Sequence, residues 1–339
     1  MKNYKTAVIG LGRPGGQHAI NVARHVRGAE LYAICDADPQ RLAEYGEMLG
    51  VEKRFENFDD VLAVDEIEAI VLVSPSVYHT QHISKALDRG KHVFSEKPLG
   101  VTVEECLEAE KAVARHPELT FMLGFMRRFD ESYAYAHAKV KAGEIGRVIL
   151  FRGYGQDPEK FVHEAMRFAP TSGGLFLDMS VHDIDLARWF IGSEPAEVWA
   201  IGDCCAHAEV AACNDSDNGS CLMKFHNGGM AFLFPGRTAP HGDNVEAEII
   251  GTKATLRIAS VPQKNLVEIL DAGGVRRECH ERFIDRFFQS YLTEVQEFFD
   301  CLHEGRKPEI TVQDGTRVTQ IAYKCKESLA SGELVKTGL

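Results

Sequence analysis

The chain has 339 residues, 45% of them hydrophobic and 26% charged, and its 38 basic against 50 acidic residues give a formal net charge of −12. That length suggests two domains, the composition excludes a disordered or collagen-like chain, and the acidic balance argues against a general nucleic-acid binder. No apolar run long enough for a transmembrane helix occurs and the N-terminus lacks a signal peptide's apolar region, so a cytoplasmic location is expected.

The first third alternates short apolar runs with amphipathic stretches. Strands are predicted at 6–9, 31–35, 69–73, 92–94 and 120–123, and helices at 15–27, 39–49, 78–89 and 102–115. Continuous apolar runs fit strands covered on both faces, and their alternation with helices implies a parallel sheet with right-handed crossovers. Beyond Gly124 the pattern changes. A helix is predicted at 129–141 and another at 177–190. His226-Asn227-Gly228-Gly229 lies between the apolar runs 221–225 and 230–234, a hairpin signal. Further strands are expected at 245–250, 255–258 and 266–270, then helices at 284–303 and 313–330. The predicted fold class is therefore α/β: an N-terminal dinucleotide-binding (Rossmann) domain over 1–123, followed over 124–339 by an α+β domain on a large, open, antiparallel-rich sheet.

Gly10-Leu11-Gly12-Arg13-Pro14-Gly15 is a G-x-G-x-x-G between the first strand and the first helix. In that context Gly10 permits the tight turn, Gly12 lets backbone approach a pyrophosphate, and Gly15 allows close helix–strand packing. Arg13 and Pro14 complete the loop, and Pro14 suits a helix start. Asp36 ends the second strand, 21 residues after Gly15. A carboxylate there accepts hydrogen bonds from ribose hydroxyls and repels a 2′-phosphate, so NAD is the expected cofactor. The nine cysteines are scattered with no C-x-x-C, and the cluster Cys204, Cys205, His207, Cys213 lacks zinc-ligand spacing, so no metal is expected.

Ser95-Glu96-Lys97-Pro98 places a lysine at the carboxyl end of a parallel strand, where ligands of such sheets bind. Asp178 and His182, four apart on the helix predicted at 177–190, share a face with Asp185, a polar stripe on an apolar helix. Glu96-Lys97-Pro98 with the glycine loop resembles the glucose–fructose oxidoreductase / inositol dehydrogenase / MocA family along nearly the whole chain. Gly124-Phe125-Met126-Arg127-Arg128-Phe129-Asp130 is similar to the domain-junction motif of inositol 2-dehydrogenases, and 172–183 resembles the family's second catalytic motif. The resemblance implies that Lys97, Asp178 and His182 are catalytic and that the Lys97–Pro98 bond is cis. It also implies cofactor contacts from Ser74, Pro75, His79, Glu96 and Lys97; Ser76 stands where the family usually has Asn.

The chemistry implied is hydride removal from a carbon whose hydroxyl loses its proton to His182, an imidazole that titrates at about 6.5 when unperturbed. Lys97 would stabilise the developing alkoxide, and Asp178 would orient a neighbouring hydroxyl. Substrate contacts are expected from these three and from Met126, Arg127, Tyr154, Asp157 and His241, with Gln156 and Asn244 as further candidates. The expected enzyme is an NAD-dependent dehydrogenase of a cyclic polyol, myo-inositol to its 2-keto product first. Another inositol isomer or a pyranose is the alternative, and a non-catalytic NAD-binding sensor the reading from another class. The resemblance implies a homo-oligomer, tetramer or dimer; the acidic balance and the lack of a long apolar run lead us to expect no nucleic-acid or membrane partner.

Overall fold

The buried apolar runs of the first third pair into one sheet. In the computed structural model, which describes residues 2–260 and 263–339, β1 (Tyr4–Ile9), β2 (Ala29–Cys35), β3 (Lys53–Phe55), β4 (Ala69–Leu72), β5 (His92–Glu96) and β6 (Phe121–Gly124) form a six-stranded sheet ordered β3-β2-β1-β4-β5-β6. Every pairing in it is parallel. Order reverses between β2 and β4 around β1, which makes the carboxyl end of β1 the topological switch point. The short β3 and the single turn Phe58–Leu62 were not anticipated: three residues carry too little periodicity to register.

Local chemistry sets the helix ends. Asp38 caps the helix Pro39–Leu49 by accepting from Gln40 N–H, and Gly50 ends it in the left-handed conformation. Thr102 and Glu105 form a reciprocal capping box at Val103–Arg115.

The first compact unit comprises Met1–Phe129 together with Phe288–Thr319. Val8, Ile34, Val71, Phe94 and Met122 of the sheet, and Ala19 and Val22 of the helix Arg13–Arg24, share one core with Val295, Phe298 and Phe299 of the helix Phe288–Glu304. Each buried phenylalanine stabilises that core by about 1.5–3 kcal/mol.

The second unit, Asp130–Phe287 with Gln320–Leu339, is built on a seven-stranded sheet. Its strands are β7 (Val148–Pro158), β8 (Pro195–Asp203), β9 (Asn218–Phe225), β10 (Met230–Ala239), β11 (Asn244–Gly251), β12 (Thr255–Ile258) and β15 (Val335–Lys336), in the order β12-β11-β7-β10-β9-β8-β15. All pairings are antiparallel except β7 with β10. The Asn-Gly hairpin joins β9 to β10, with Phe225 N–H donating to Gly229 O at 2.8 Å. Where a strand was expected at 266–270, only a two-stranded ribbon of β13 (Ile269–Asp271) and β14 (Gly274–Arg276) forms, and Leu266, Val267 and Leu270 are exposed.

One face of the larger sheet is covered by the helix Val181–Ile191. Phe151 stacks on Phe190 at 5.8 Å, and a Cβ on Gly153 would meet Asp183 Oδ1 at 2.9 Å. Odd-numbered residues of β7 therefore face this helix. Even-numbered ones face the other way, since side chains alternate along a strand.

Candidate functional site

The glycine loop has the geometry its spacing implies. Gly10 takes φ +88°, and a Cβ there would lie 2.5 Å from Val73 O. A Cβ on Gly15 would meet Gly10 O at 1.9 Å, so helix and turn are in direct backbone contact. A Cβ on Gly12 would meet nothing within 4 Å. The chain's own packing gives no reason for glycine at that position, whereas a pyrophosphate approaching the backbone does. Pro14 sits at the start of the helix Arg13–Arg24, and Arg13 is exposed.

Asp36 follows β2 and is fixed by the loop. Its Oδ2 accepts from Leu11 N–H at 2.6 Å and its Oδ1 from Asp38 N–H at 2.8 Å. A carboxylate has about four lone-pair sites, so two bonds to backbone leave capacity for ribose hydroxyls. These residues fit a dinucleotide: a turn with open backbone at a helix N-terminus, and an oriented acceptor at the next strand's end.

His79 has a different place from the one expected of a cofactor contact. It is buried with Nδ1 2.7 Å from Pro98 O and Nε2 2.7 Å from Ser74 O. Burial lowers its pKa below the ordinary histidine value, against the pull of the two carbonyls. Its ring thus braces the turn after β4 against the segment that carries Lys97. Ser74 Oγ bonds His82 Nδ1 at 3.1 Å, and Pro75 is exposed. The Lys97–Pro98 bond is cis. Lys97 is half-buried, and its N–H donates to Glu96 Oε2 at 3.2 Å. Met126 and Arg127 are buried in the single turn Met126–Phe129.

In the second unit, the helix expected at 177–190 is interrupted. It runs as Leu175–Asp178 and Val181–Ile191, with a widened turn in which Ser180 N–H reaches back to Leu175 O at 3.4 Å. Asp178 therefore ends one helix and His182 lies in the first turn of the next, so a single i, i+4 face does not describe them. Gly173 and Gly174 both take positive φ ahead of this segment. His182, Asp183 and Asp185 are all buried.

Sequence reasoning missed Arg237. It lies on β10 and is 3% exposed, and its Nη2 donates to Asp178 Oδ2 at 2.9 Å and lies 3.6 Å from Asp215 Oδ2. Burial alone would lower its pKa, but the charge and hydrogen bond of Asp178, then the charges of Asp215 and Asp157, raise it above the ordinary value. Asp215 also accepts from Leu175 N–H at 2.7 Å, tying the same network to the start of the Asp178 helix. Asp178, Asp157 and Arg237 are thus brought together on the helix-covered face. A buried arginine between carboxylates holds them in fixed orientation.

Tyr154 is not brought to that cluster. Its even position on β7 turns it to the opposite face, where it meets Phe232 at 6.1 Å and Phe234 at 5.7 Å edge-on and bonds Arg152 through its hydroxyl. Gln156, of the same parity, accepts from Asn244 Nδ2 at 3.2 Å. His241 is exposed in the turn between β10 and β11. Among the cysteines expected not to bind metal, the Sγ atoms of Cys204 and Cys213 donate to the carbonyls of Asp215 and Met166.

Residues 4–125 match the family model described as an oxidoreductase family with an NAD-binding Rossmann fold, and residues 133–257 match the GFO/IDH/MocA C-terminal domain. The scyllo-inositol 2-dehydrogenase (NAD(+)) of Bacillus subtilis is 33% identical over 332 residues, spanning 97% of this chain and 94% of the relative. The structure of scyllo-inositol dehydrogenase from Lactobacillus casei with bound NAD(H) and scyllo-inositol superposes with a TM-score of 0.96 at 43% identity, covering 100% of both chains. Myo-inositol 2-dehydrogenase from Lactobacillus plantarum gives a TM-score of 0.97 at 38% identity, covering 99% of each.

Proposed function

Given that the chain belongs to the GFO/IDH/MocA oxidoreductase family, we propose that it is an NAD-dependent dehydrogenase that oxidises one hydroxyl of an inositol to the 2-keto product. The full-length likeness to an enzyme holding both NAD(H) and an inositol carries this reading. The sequence expectation of myo-inositol and the scyllo-inositol of two relatives' names converge chemically. The two isomers differ in configuration at one carbon, and oxidation of that carbon removes the difference, so both yield the same ketone.

Roles follow from the residues. NAD, when bound, supplies the hydride acceptor. His182 is assigned as the base that takes the hydroxyl proton from the carbon being oxidised. Lys97 is assigned to the oxygen of that hydroxyl, where its ammonium stabilises developing negative charge. Asp178, held by Arg237, accepts from a neighbouring hydroxyl and fixes the ring's orientation, the contribution by which a positioned substrate reacts faster than a loosely held one. Asp36 accounts for the choice of NAD, because a 2′-phosphate would meet its carboxylate.

The test is NADH formation from NAD or NADP with myo-inositol, scyllo-inositol, chiro-inositol, glucose and xylose in parallel. Turnover of myo- or scyllo-inositol with NAD to a common ketone is the expected result. Turnover of a pyranose alone would replace the substrate. Cofactor binding without turnover of any polyol would favour the sensor reading.

A further inference from the structure

Around Glu96, the residue before Lys97, the first unit buries a cluster of three titratable groups, two of which, His18 and Glu294, have no part in the proposed chemistry. His18 of the helix Arg13–Arg24 and Glu294 of the helix Phe288–Glu304 are both fully buried, and Glu96 of β5 is 7% exposed. Their nearest ligand-type atoms all lie within 4.8 Å of one another. His18 Nε2 is 2.8 Å from Glu96 Oε1 and 4.0 Å from Glu294 Oε1. A Cβ on Gly124 would meet Phe94 Cζ at 2.9 Å, Glu294 Oε2 at 3.3 Å and Glu96 Cδ at 3.4 Å, so glycine at the end of β6 makes room for the Phe94 ring and the carboxyl pair together.

The protons can be assigned. His18 Nδ1 has no hydrogen-bond partner, and its ring is flanked edge-on by Phe94 and Tyr291. An N–H there would be a buried donor left unsatisfied, so the hydrogen sits on Nε2 and is donated to Glu96. Glu96 also accepts from Lys97 N–H. Among the described residues, neither oxygen of Glu294 accepts a hydrogen bond. Two ionised carboxylates with oxygens within 4.8 Å of each other repel strongly in a dry interior. Glu294 is therefore the neutral acid. Burial first, and then the charge of Glu96 and the hydrogen bond to it, push its pKa well above the usual carboxylate range.

We infer that Glu294 and His18 are positioning residues for Lys97: the Glu294 proton and the His18 Nε2–H both bond Glu96, and Glu96 so fixed holds the backbone of Lys97. The inference deepens the reading of Lys97 as the residue at the reacting hydroxyl and rests on it for its catalytic consequence.

The full-length Glu294→Gln and Glu294→Leu variants separate the proton from the shape. A glutamine amide can donate to Glu96 as the acid does; leucine fills similar volume and cannot. Three measurements are made: the infrared carbonyl stretch of a protonated carboxylic acid, the rate of Lys97 modification by an amine reagent read by mass spectrometry, and turnover with inositol alongside NAD affinity. Wild type should show a buried-acid band at neutral pH that Glu294→Gln lacks. Glu294→Leu should alter Lys97 reactivity several-fold and lower kcat about tenfold or more, as small misplacements of reacting groups do, with NAD affinity changed less. Glu294→Gln should recover most of both.

Absence of the acid band, or equal behaviour of the two variants, overturns the inference. If Lys97 reactivity shifts as stated but no inositol is turned over by wild type, the proposed function fails and the positioning stands. If wild type turns over inositol and Glu294→Leu matches it in reactivity and kcat, the positioning fails alone. Should the leucine variant not fold, the band and the Lys97 reactivity of wild type and Glu294→Gln still decide, because a Glu294 ionised in wild type gives no band.

Discussion

Arg237→Met removes a guanidinium from between two carboxylates while keeping an apolar stem of similar length. Breaking a buried ion pair by deleting one partner costs about 3–5 kcal/mol. Asp215 has only 6% of its side chain exposed and bears this in full, whereas Asp178 is 28% exposed and water can take up part of its charge. Discounting the share of Asp178 leaves roughly 2–3 kcal/mol of lost stability, or about 4–12 °C in Tm for a unit of this size. Function should fall separately. With Asp178 no longer held, kcat/KM for inositol should drop about tenfold to a hundredfold, and NAD affinity should hold, because the glycine loop and Asp36 belong to the other unit. The assays are a thermal melt, inositol kinetics at saturating NAD, and NAD titration by fluorescence. Arg237→Lys should recover part of the stability and less of the activity, since an ammonium lacks the planar fork. A melt that drops while inositol kinetics stay unchanged would refute the claim that Arg237 orients Asp178 for the reaction, and an unchanged melt would refute the energetics.

His182→Ala should reduce turnover by roughly a hundredfold or more with NAD binding retained; turnover near wild type removes His182 as the base. Asp36→Ala should narrow the NAD-over-NADP preference, and more than simple loss of a contact implies, because Arg41 Nη1 lies 3.7 Å from Asp36 Oδ2 and remains to meet a 2′-phosphate. An unmoved ratio of catalytic efficiencies would contradict the account of cofactor choice. Glu294 makes a pH prediction. Its folded pKa is raised, so above the unfolded value the folded state binds a proton that the unfolded state has released, and stability falls as pH rises toward the folded value. Glu294→Gln lacks that loss, so its urea stability should gain on wild type by about 1.4 kcal/mol per pH unit within that window. Parallel pH dependence of the two proteins would mean that Glu294 holds no such proton.

Features encoded locally were readable. The glycine loop, the acid after β2, the capped helices and the Asn-Gly hairpin each depend on residues close in sequence. Arg237 was missed because the apolar run ends at Phe234, and Pro235-Gly236 reads as a strand's end although β10 continues to Ala239. Its burial comes from Asp178 and Asp215, which only the folded sheet brings near. Tyr154 could have been placed by parity, since Phe151 and Gly153 fix which face is covered. His18 and Glu294 carried a weaker signal: each is a polar residue at an inward position of an amphipathic helix, and no periodicity tells which two helices face each other. For the same reason the helix Phe288–Glu304 was legible as a helix but not as part of the first unit's core.

That last placement has a consequence for biosynthesis. A nascent chain that has emerged through Phe129 holds all six strands of the first sheet but lacks Val295, Phe298 and Phe299, which complete the apolar cluster around Phe94, whose ring lies 6.0 Å from that of Phe298. Completion of that core waits on a segment that follows only after Asp130–Phe287, a contact of high sequence separation that folds slowly. Until it arrives, exposed parallel strands are prone to aggregate. A fragment ending at Phe129 should therefore be poorly soluble on its own, while co-expression with residues 288–319 as a separate peptide should restore a soluble, cofactor-competent unit.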